Sequence, residues 1–287
     1  MGEGIFDIIP GFSKQCYLCV KDSDMYKDKV VWITGASSGI GEALAHRFSR
    51  EGARVIISSH EPEELDRVKK DLESYGNDVH IEVFNLGNPD EVQQTADRVL
   101  KQFGRVDVLM NNGGISQRAL AVETPLEIDR RIMEIDYFAG VILTKAVLPG
   151  MIERGYGHIG VTSTISGKFG FPLRSAYAAA KHALFGFYES VWAENYQHGV
   201  RVTLFSPGRV RTNISLHALQ KDGKEHGKMD PGQAKGITTE ACARKMVRSM
   251  KRNRKDVLIG GSELIMVYIH KYFRWLYYRI VSKISPH

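Results

Sequence analysis

The chain has 287 residues, 43% of them apolar and 25% charged, with a formal net charge of +6. That length and balance suit one large α/β core, and they exclude a disordered, collagenous or disulfide-framework protein. The basicity is a C-terminal feature: residues 244–287 hold 11 Lys/Arg and 2 Asp/Glu, whereas residues 1–243 hold 28 and 31, a net of −3.

Residues 1–27 read as an extension outside the fold. They lack the long apolar core of a signal peptide, and Phe6 stands where a myristoylation signal after Gly2 needs Ser or Thr. Cys16 and Cys19 form a C-x-x-C with no second pair, so no metal site is expected. Cys242 is expected to pack in a helix, and three cysteines suit a reducing compartment.

From residue 30 onward, short apolar runs alternate with helical patterns. VVWITG (30–35) reads as a buried strand and GEALAHRFSREG (41–52) as the helix after it. ARVIISS (53–59) is a second strand, followed by the charged amphipathic helix 63–76. DVHIEVFNL (78–86) and VDVLMNN (106–112) are strands around the helix 89–104. A long helix near 125–153 leads to the strand GHIGVTS (157–163), and a second long helix spans roughly 174–198. VRVTLFSPG (200–208) and DVLIGG (256–261) complete seven strands. Apolar runs without alternation suit strands covered on both faces. The order predicts one Rossmann-type, doubly wound parallel sheet with helices on both sides and right-handed crossovers, over residues 28–262. Ligands of such sheets bind beyond the carboxyl ends of the strands, where every motif below falls.

TGASSGIGEALA (34–45) joins the first strand to its helix. Gly35 permits a tight turn, Gly39 lets the backbone approach a pyrophosphate, and Gly41 allows close helix–strand contact. Ser37, Ser38 and Ile40 lie between them, and the helix N-terminus offers N–H groups to phosphates. In RSAYAAAKHA, Tyr177 and Lys181 are one helical turn apart and share a face, with only alanines between them.

Together TGASSGIG, NNGG (111–114), Y-x-x-x-K (177–181) and SPGRVRT (206–212) resemble the short-chain dehydrogenase/reductase family over about residues 28–262. NNGGISQR also resembles the subgroup containing dehydrogenase/reductase member 7, in which NNGG replaces NNAG. The resemblance implies hydride exchange between a nicotinamide and a carbonyl or alcohol carbon. It makes Tyr177 the proton donor or acceptor and Lys181 the cation that lowers its pKa and holds the nicotinamide ribose. The third hydroxyl of the family falls on Thr164, usually Ser, with Ser163 beside it. The usual helix-bending Asn, which holds a relay water, is Asp136 here. An ionised Asp accepts those hydrogen bonds but cannot donate them.

For the cofactor, the resemblance places Ser59 and His60 at the adenosine ribose. With no acid at Ser59, NADP is the expected cofactor, with NAD as the alternative. Asn85 and Leu86 match the adenine-contacting pair, and Asn112 and Gly113 line the ribose. Pro207, Gly208, Val210 and Thr212 face the nicotinamide end. Residues 213–236 match the substrate lid.

The segment 263–287 is expected to be a basic aromatic helix. Its rings and snorkelling Lys/Arg suit a bilayer interface, and equally a cover for the pocket or a subunit contact. No segment reaches the roughly 20 uninterrupted apolar residues of a membrane span. The combined expectation is a cytoplasmic NAD(P)-dependent oxidoreductase acting on a lipophilic secondary alcohol or ketone, of steroid, retinoid or lipid-like character. A homodimer or homotetramer is expected, with peripheral contact to an intracellular membrane through residues 263–284 and no nucleic-acid partner. The alternatives are a catalytically weak nucleotide-binding sensor and a membrane-associated scaffold on the same fold.

Overall fold

A computed structural model describes residues 25–284. Cys16, Cys19 and most of the expected extension lie outside the described residues. That extension ends sooner than residue 27, because Tyr26 is buried edge-on against Phe48, with ring centroids 4.9 Å apart.

Seven parallel strands form one sheet in the order β3-β2-β1-β4-β5-β6-β7. They are β1 (Val30–Thr34), β2 (Arg54–Ser59), β3 (Val79–Val83), β4 (Val108–Asn111), β5 (Gly157–Thr162), β6 (Val200–Pro207) and β7 (Asp256–Ile259). Side chains alternate across the sheet, as the period of two requires. Val31, Ile33, Val55 and Ile57 pack under α1 (Gly39–Arg50), α2 (Pro62–Glu73) and α8 (Thr239–Lys251). Val30, Trp32, Ile56 and Leu109 pack on the other face, with α3 (Pro89–Phe103), α5 (Ala139–Glu153) and α6 (Ser175–Asn195). Both faces are therefore apolar, which is why the runs do not alternate in hydropathy. Cys242 is buried within α8. The connection reverses direction between β1 and β4, and this opens a crevice at their carboxyl ends.

The long helix expected near 125–153 is interrupted. The α4 segment (Leu126–Met133) passes through a π-turn at Glu134–Phe138 before α5 begins. Leu126–Glu153 as a whole is long and apolar enough to cross a membrane by length and composition alone. In this fold Leu143, Val147 and Met151 from it are buried against the sheet. The C-terminal segment is two helices rather than one: α9 (Ile265–Tyr272) and α10 (Arg274–Val281), separated by a non-helical Phe273 at φ −133° and ψ 58°. The break lets Val267 and Tyr277 fold back together on Phe169. A short α7 (Pro231–Ala234) lies within the 213–236 connection.

One buried base has a measurable consequence. His158 on β5 is 7% exposed, and its Nε2 lies 2.9 Å from Thr203 Oγ1. Burial first, and then the Arg201 charge, push its pKa down from 6.5 to about 3. A depressed value means that the stabilising contribution is complete above the unfolded pKa and is lost as pH falls through the window from 6.5 to about 3. Urea unfolding should show about 1.4 kcal/mol less stability at pH 5.5 than at pH 7.5 from this group. His158→Gln should flatten that part of the profile; an unchanged slope would contradict the assignment.

Candidate active site

The crevice has a volume of about 490 Å³ and runs from Ser59, His60 and Glu61, past Tyr177, to Gly223 and Glu225. Its floor is the turn after β1. Gly39 has φ +64°, a conformation that side-chain-bearing residues rarely adopt. A Cβ on Gly41 would lie 2.0 Å from Gly35 O, so only glycine lets α1 sit this close to the turn. The first N–H groups of a helix lack intrahelical partners, and the Ser38 side chain caps none of them here. This cradle fits the pyrophosphate of a dinucleotide by both shape and donor set.

Thr34, which sequence reasoning passed over, pins the turn to β4: its Oγ1 accepts from the N–H groups of Asn112 and Gly113, both at 3.0 Å. The Asn112 amide donates to Thr34 O and Gly35 O and accepts from Thr162 Oγ1. Asn112 therefore lines the crevice as a brace, with its side chain already committed. Asn85 is similar: its Oδ1 accepts from Gly87 N at 2.8 Å, closing a local turn, while Leu86 lines the crevice.

At the end of β2, Ser37 Oγ donates to Glu61 Oε2 at 2.6 Å. Arg67, also missed from sequence, donates to Ser37 O at 3.1 Å and pairs with Glu42. Ser59 and His60 line the same end. At the opposite end, Pro207, Gly208, Val210 and Thr212 line the crevice, and Gln233 Nε2 donates to Thr212 Oγ1 at 2.7 Å.

Tyr177 and Lys181 both line the crevice from the first two turns of α6. The residues between them are alanines, and Ala180 is fully buried. The two adjacent hydroxyls diverge. Ser163 Oγ donates to Lys181 O at 3.1 Å, tying β5 to α6. Thr164 Oγ1 donates to Pro207 O at 3.2 Å and accepts from Ser166 N.

Asp136 sits in the π-turn with its side chain fully buried, 3.2 Å from Lys181 Nζ. Its other oxygen accepts from Ile115 N at 2.7 Å. Lys181 Nζ also donates to Thr162 O at 3.3 Å. Beside the pair is a cavity of about 10 Å³ lined by Asn111, Asp136, Thr162 and Lys181, a volume close to that needed for one water. Asp136 thus contacts the lysine directly instead of lining the main crevice. Burial pushes its carboxyl above the usual range, and the Lys181 ammonium and the Ile115 N–H pull it back. Burial also raises the Tyr177 phenol. Lys181 lowers it, Asp136 raises it, and Arg174 and Arg118 lower it.

A parallel seven-stranded sheet with a glycine cradle at its switch point, and a Tyr/Lys turn facing the same crevice, defines a nucleotide-binding oxidoreductase architecture. The model of the short chain dehydrogenase family matches residues 29–222, and the chain belongs to the short-chain dehydrogenase/reductase family. A Drosophila melanogaster relative, dehydrogenase/reductase SDR family protein 7-like, is 40% identical over 260 residues, covering 89% of this chain and 80% of the relative. Dehydrogenase/reductase SDR family member 7B of Bos taurus is 38% identical over 263 residues, with 89% and 81% coverage. Among solved structures, a metagenomic short-chain oxidoreductase in complex with NADP superposes at a TM-score of 0.68, with 28% identity and coverage of 81% of this chain and 97% of that one. A Burkholderia phymatum family member in complex with NAD superposes at 0.77, with 22% identity and coverage of 88% and 96%, which speaks to the fold.

Proposed function

We propose that the chain is an NAD(P)-dependent oxidoreductase that reduces a lipophilic ketone to a secondary alcohol, or reverses that reaction. The observation that supports this most is the placement of Tyr177 and Lys181 on one turn of α6, both lining the 490 Å³ crevice. When bound, the nicotinamide supplies or accepts the hydride. In this reading the pyrophosphate is held at Gly39, Ile40 and the first turn of α1. Lys181 holds the ribose and steadies charge on the phenol, and Thr164 orients the substrate oxygen. A buried, raised phenol is protonated at neutral pH, so Tyr177 is suited to donate its proton to a carbonyl oxygen as the hydride arrives. The test is loss of NADPH absorbance and fluorescence with a panel of ketones. Tight cofactor binding without turnover of any member would favour the nucleotide-sensor alternative, for which the direct Asp136–Lys181 contact is the supporting observation.

NADP is the proposed preference and NAD the alternative. Ser59 carries no charge to repel a 2′-phosphate, and the Arg67 guanidinium lies on Ser37 O at the same end. Glu61 acts in the opposite sense, although its carboxylate is engaged by Ser37. Ser59→Asp should shift preference toward NAD by repelling the phosphate and accepting from the ribose hydroxyl. Tighter binding of NAD than NADP by the unaltered protein would refute the preference.

The C-terminal pair of helices is proposed to touch an intracellular membrane from the cytoplasmic side, within a homodimer or homotetramer. Tyr268, Tyr272, Trp275 and Tyr278 are exposed, while Val267 and Tyr277 face the fold. Lys271, Arg274, Arg279 and Lys283 flank the exposed rings. Co-sedimentation with anionic vesicles at low salt should fall sharply on removal of 263–287. Absence of vesicle binding by the full chain would remove the membrane contact.

A further inference from the structure

Beside the Tyr177 turn lies a cluster that the oxidoreductase reading does not use. The Arg118 side chain is 8% exposed, and its Nη2 lies 2.5 Å from Asp230 Oδ2. Arg174 reaches the same carboxylate oxygen at 3.0 Å. Two guanidinium groups thus share one acceptor atom, which leaves the cluster one positive charge in excess. Arg118 Nη1 donates to Ser116 Oγ and Gln117 O, but its buried Nε has no hydrogen-bond partner. A buried, unpaired donor on a cation is costly and marks an unfilled acceptor position.

The cluster adjoins the crevice. Arg174 immediately precedes α6, three residues before Tyr177. Gln117, next to Arg118, accepts from Ala176 N at 2.9 Å and so anchors the first turn of that helix. Arg118 N donates to Leu219 O at 2.8 Å, and Leu219 lines the crevice along with Tyr177. Both arginine charges reach the phenol. Asp230, by contrast, comes from the 213–236 connection, where its backbone N–H donates to Ser215 Oγ. The cations flank the crevice beside the first turn of α6 and Leu219, and the anion comes from the 213–236 segment, residues of which line it.

We propose that Arg118 and Arg174 bind an anionic group, a carboxylate or phosphate, carried by the substrate away from its reacting carbon, and that Asp230 occupies the pair until that group replaces it. This rests on the oxidoreductase reading and narrows its substrate to an amphiphile with an anionic end. Planar guanidinium forks match the oxygens of either group in pairs. A ligand with two or three anionic oxygens satisfies donors that one shared oxygen cannot. Exchange of one anion for another also keeps the buried charges compensated, so opening of the 213–236 segment need not strand two cations.

The test is calorimetric titration of the full chain with decanoate, decyl phosphate and decanol, none of which requires turnover. The two anions should bind about 10–100-fold more tightly than the alcohol, the range expected for hydrogen bonds to charged groups. Their order of affinity identifies carboxylate or phosphate as the better fit. Arg174→Gln should erase most of the anion advantage. Asp230→Asn, which removes the competing carboxylate, should tighten anion binding. Equal affinity of the unaltered protein for decanol and both anions would overturn the site. Asp230→Asn weakening anion binding would show Asp230 to be a structural latch, which also overturns it. In a second arm, the ratio of kcat/KM for a keto acid to that for its methyl ester should fall in Arg174→Gln. Failure to reduce any ketone would count against the oxidoreductase reading alone, since the calorimetric result stands without catalysis.

Discussion

Tyr177→Phe is expected to lower turnover by about 10²–10⁴-fold, the usual contribution of a positioned acid or base, while leaving dinucleotide affinity near its original value. The substitution removes one oxygen and keeps the ring that packs with Ile128, Ile132 and Leu219, so the fold should be spared. Stopped-flow hydride transfer and a separate fluorescence titration of the cofactor distinguish the two quantities. Turnover within a fewfold of the original protein would remove Tyr177 from the chemistry, and with it the proposed mechanism.

Asp136 carries the second large effect. Asp136→Leu deletes one partner of a fully buried ion pair and leaves the Lys181 ammonium without its carboxylate. Stranding a buried charge in this way costs about 3–5 kcal/mol, which urea unfolding would register directly. Asp136→Asn is the gentler probe, because it keeps shape and keeps an acceptor for Ile115 N. The Asp136 carboxylate raises the Tyr177 phenol, so its neutralisation should move the basic limb of the alcohol-oxidation profile to lower pH. Coincident profiles at saturating cofactor would show that the carboxylate does not act on the phenol at all.

The sheet was readable in advance because its two faces are both covered. Continuous apolar runs such as Val30–Ile33 admit few other placements, and glycines marked the turns. The C-terminal break was not readable: Phe273 sits among aromatic residues with no Gly or Pro beside it. The fold-back is held by distant contacts, among them Tyr277 on Phe169, more than a hundred residues earlier, which no local window shows. The π-turn was foreshadowed only by the family's helix-bending Asn, and the direct ion pair at Asp136 was not foreseen. Motifs at strand ends could be listed from local spacing, but the commitments of their side chains could not. Asn112 and Asn85 line the crevice as their motifs suggest, but their bonds to the β1 turn and Thr162, and to Gly87, could not be read from spacing. The Arg118–Arg174–Asp230 cluster joins three distant segments, so no window of sequence contains it. Thr34 and Arg67 have no motif of their own; their hydrogen bonds reveal them.

The π-turn at Glu134–Phe138 gives its helix a phase as well as a length. Each residue of an α-helix advances the face by about 100°, and a π-turn absorbs one extra residue relative to an α-helical path. Upstream, Ile128 and Ile132 pack toward Tyr177; downstream, Leu143 and Val147 pack on the sheet, and Thr144 bonds to Tyr188. Removing one residue from 134–138 would let the helix become regular with the contacts on either side still in phase, but it would swing the carboxylate away from the lysine. The extra residue therefore serves the carboxylate rather than the packing on either side of it. Chains of this family that differ here by a single insertion or deletion should differ in what sits against the lysine, even where every other motif is identical.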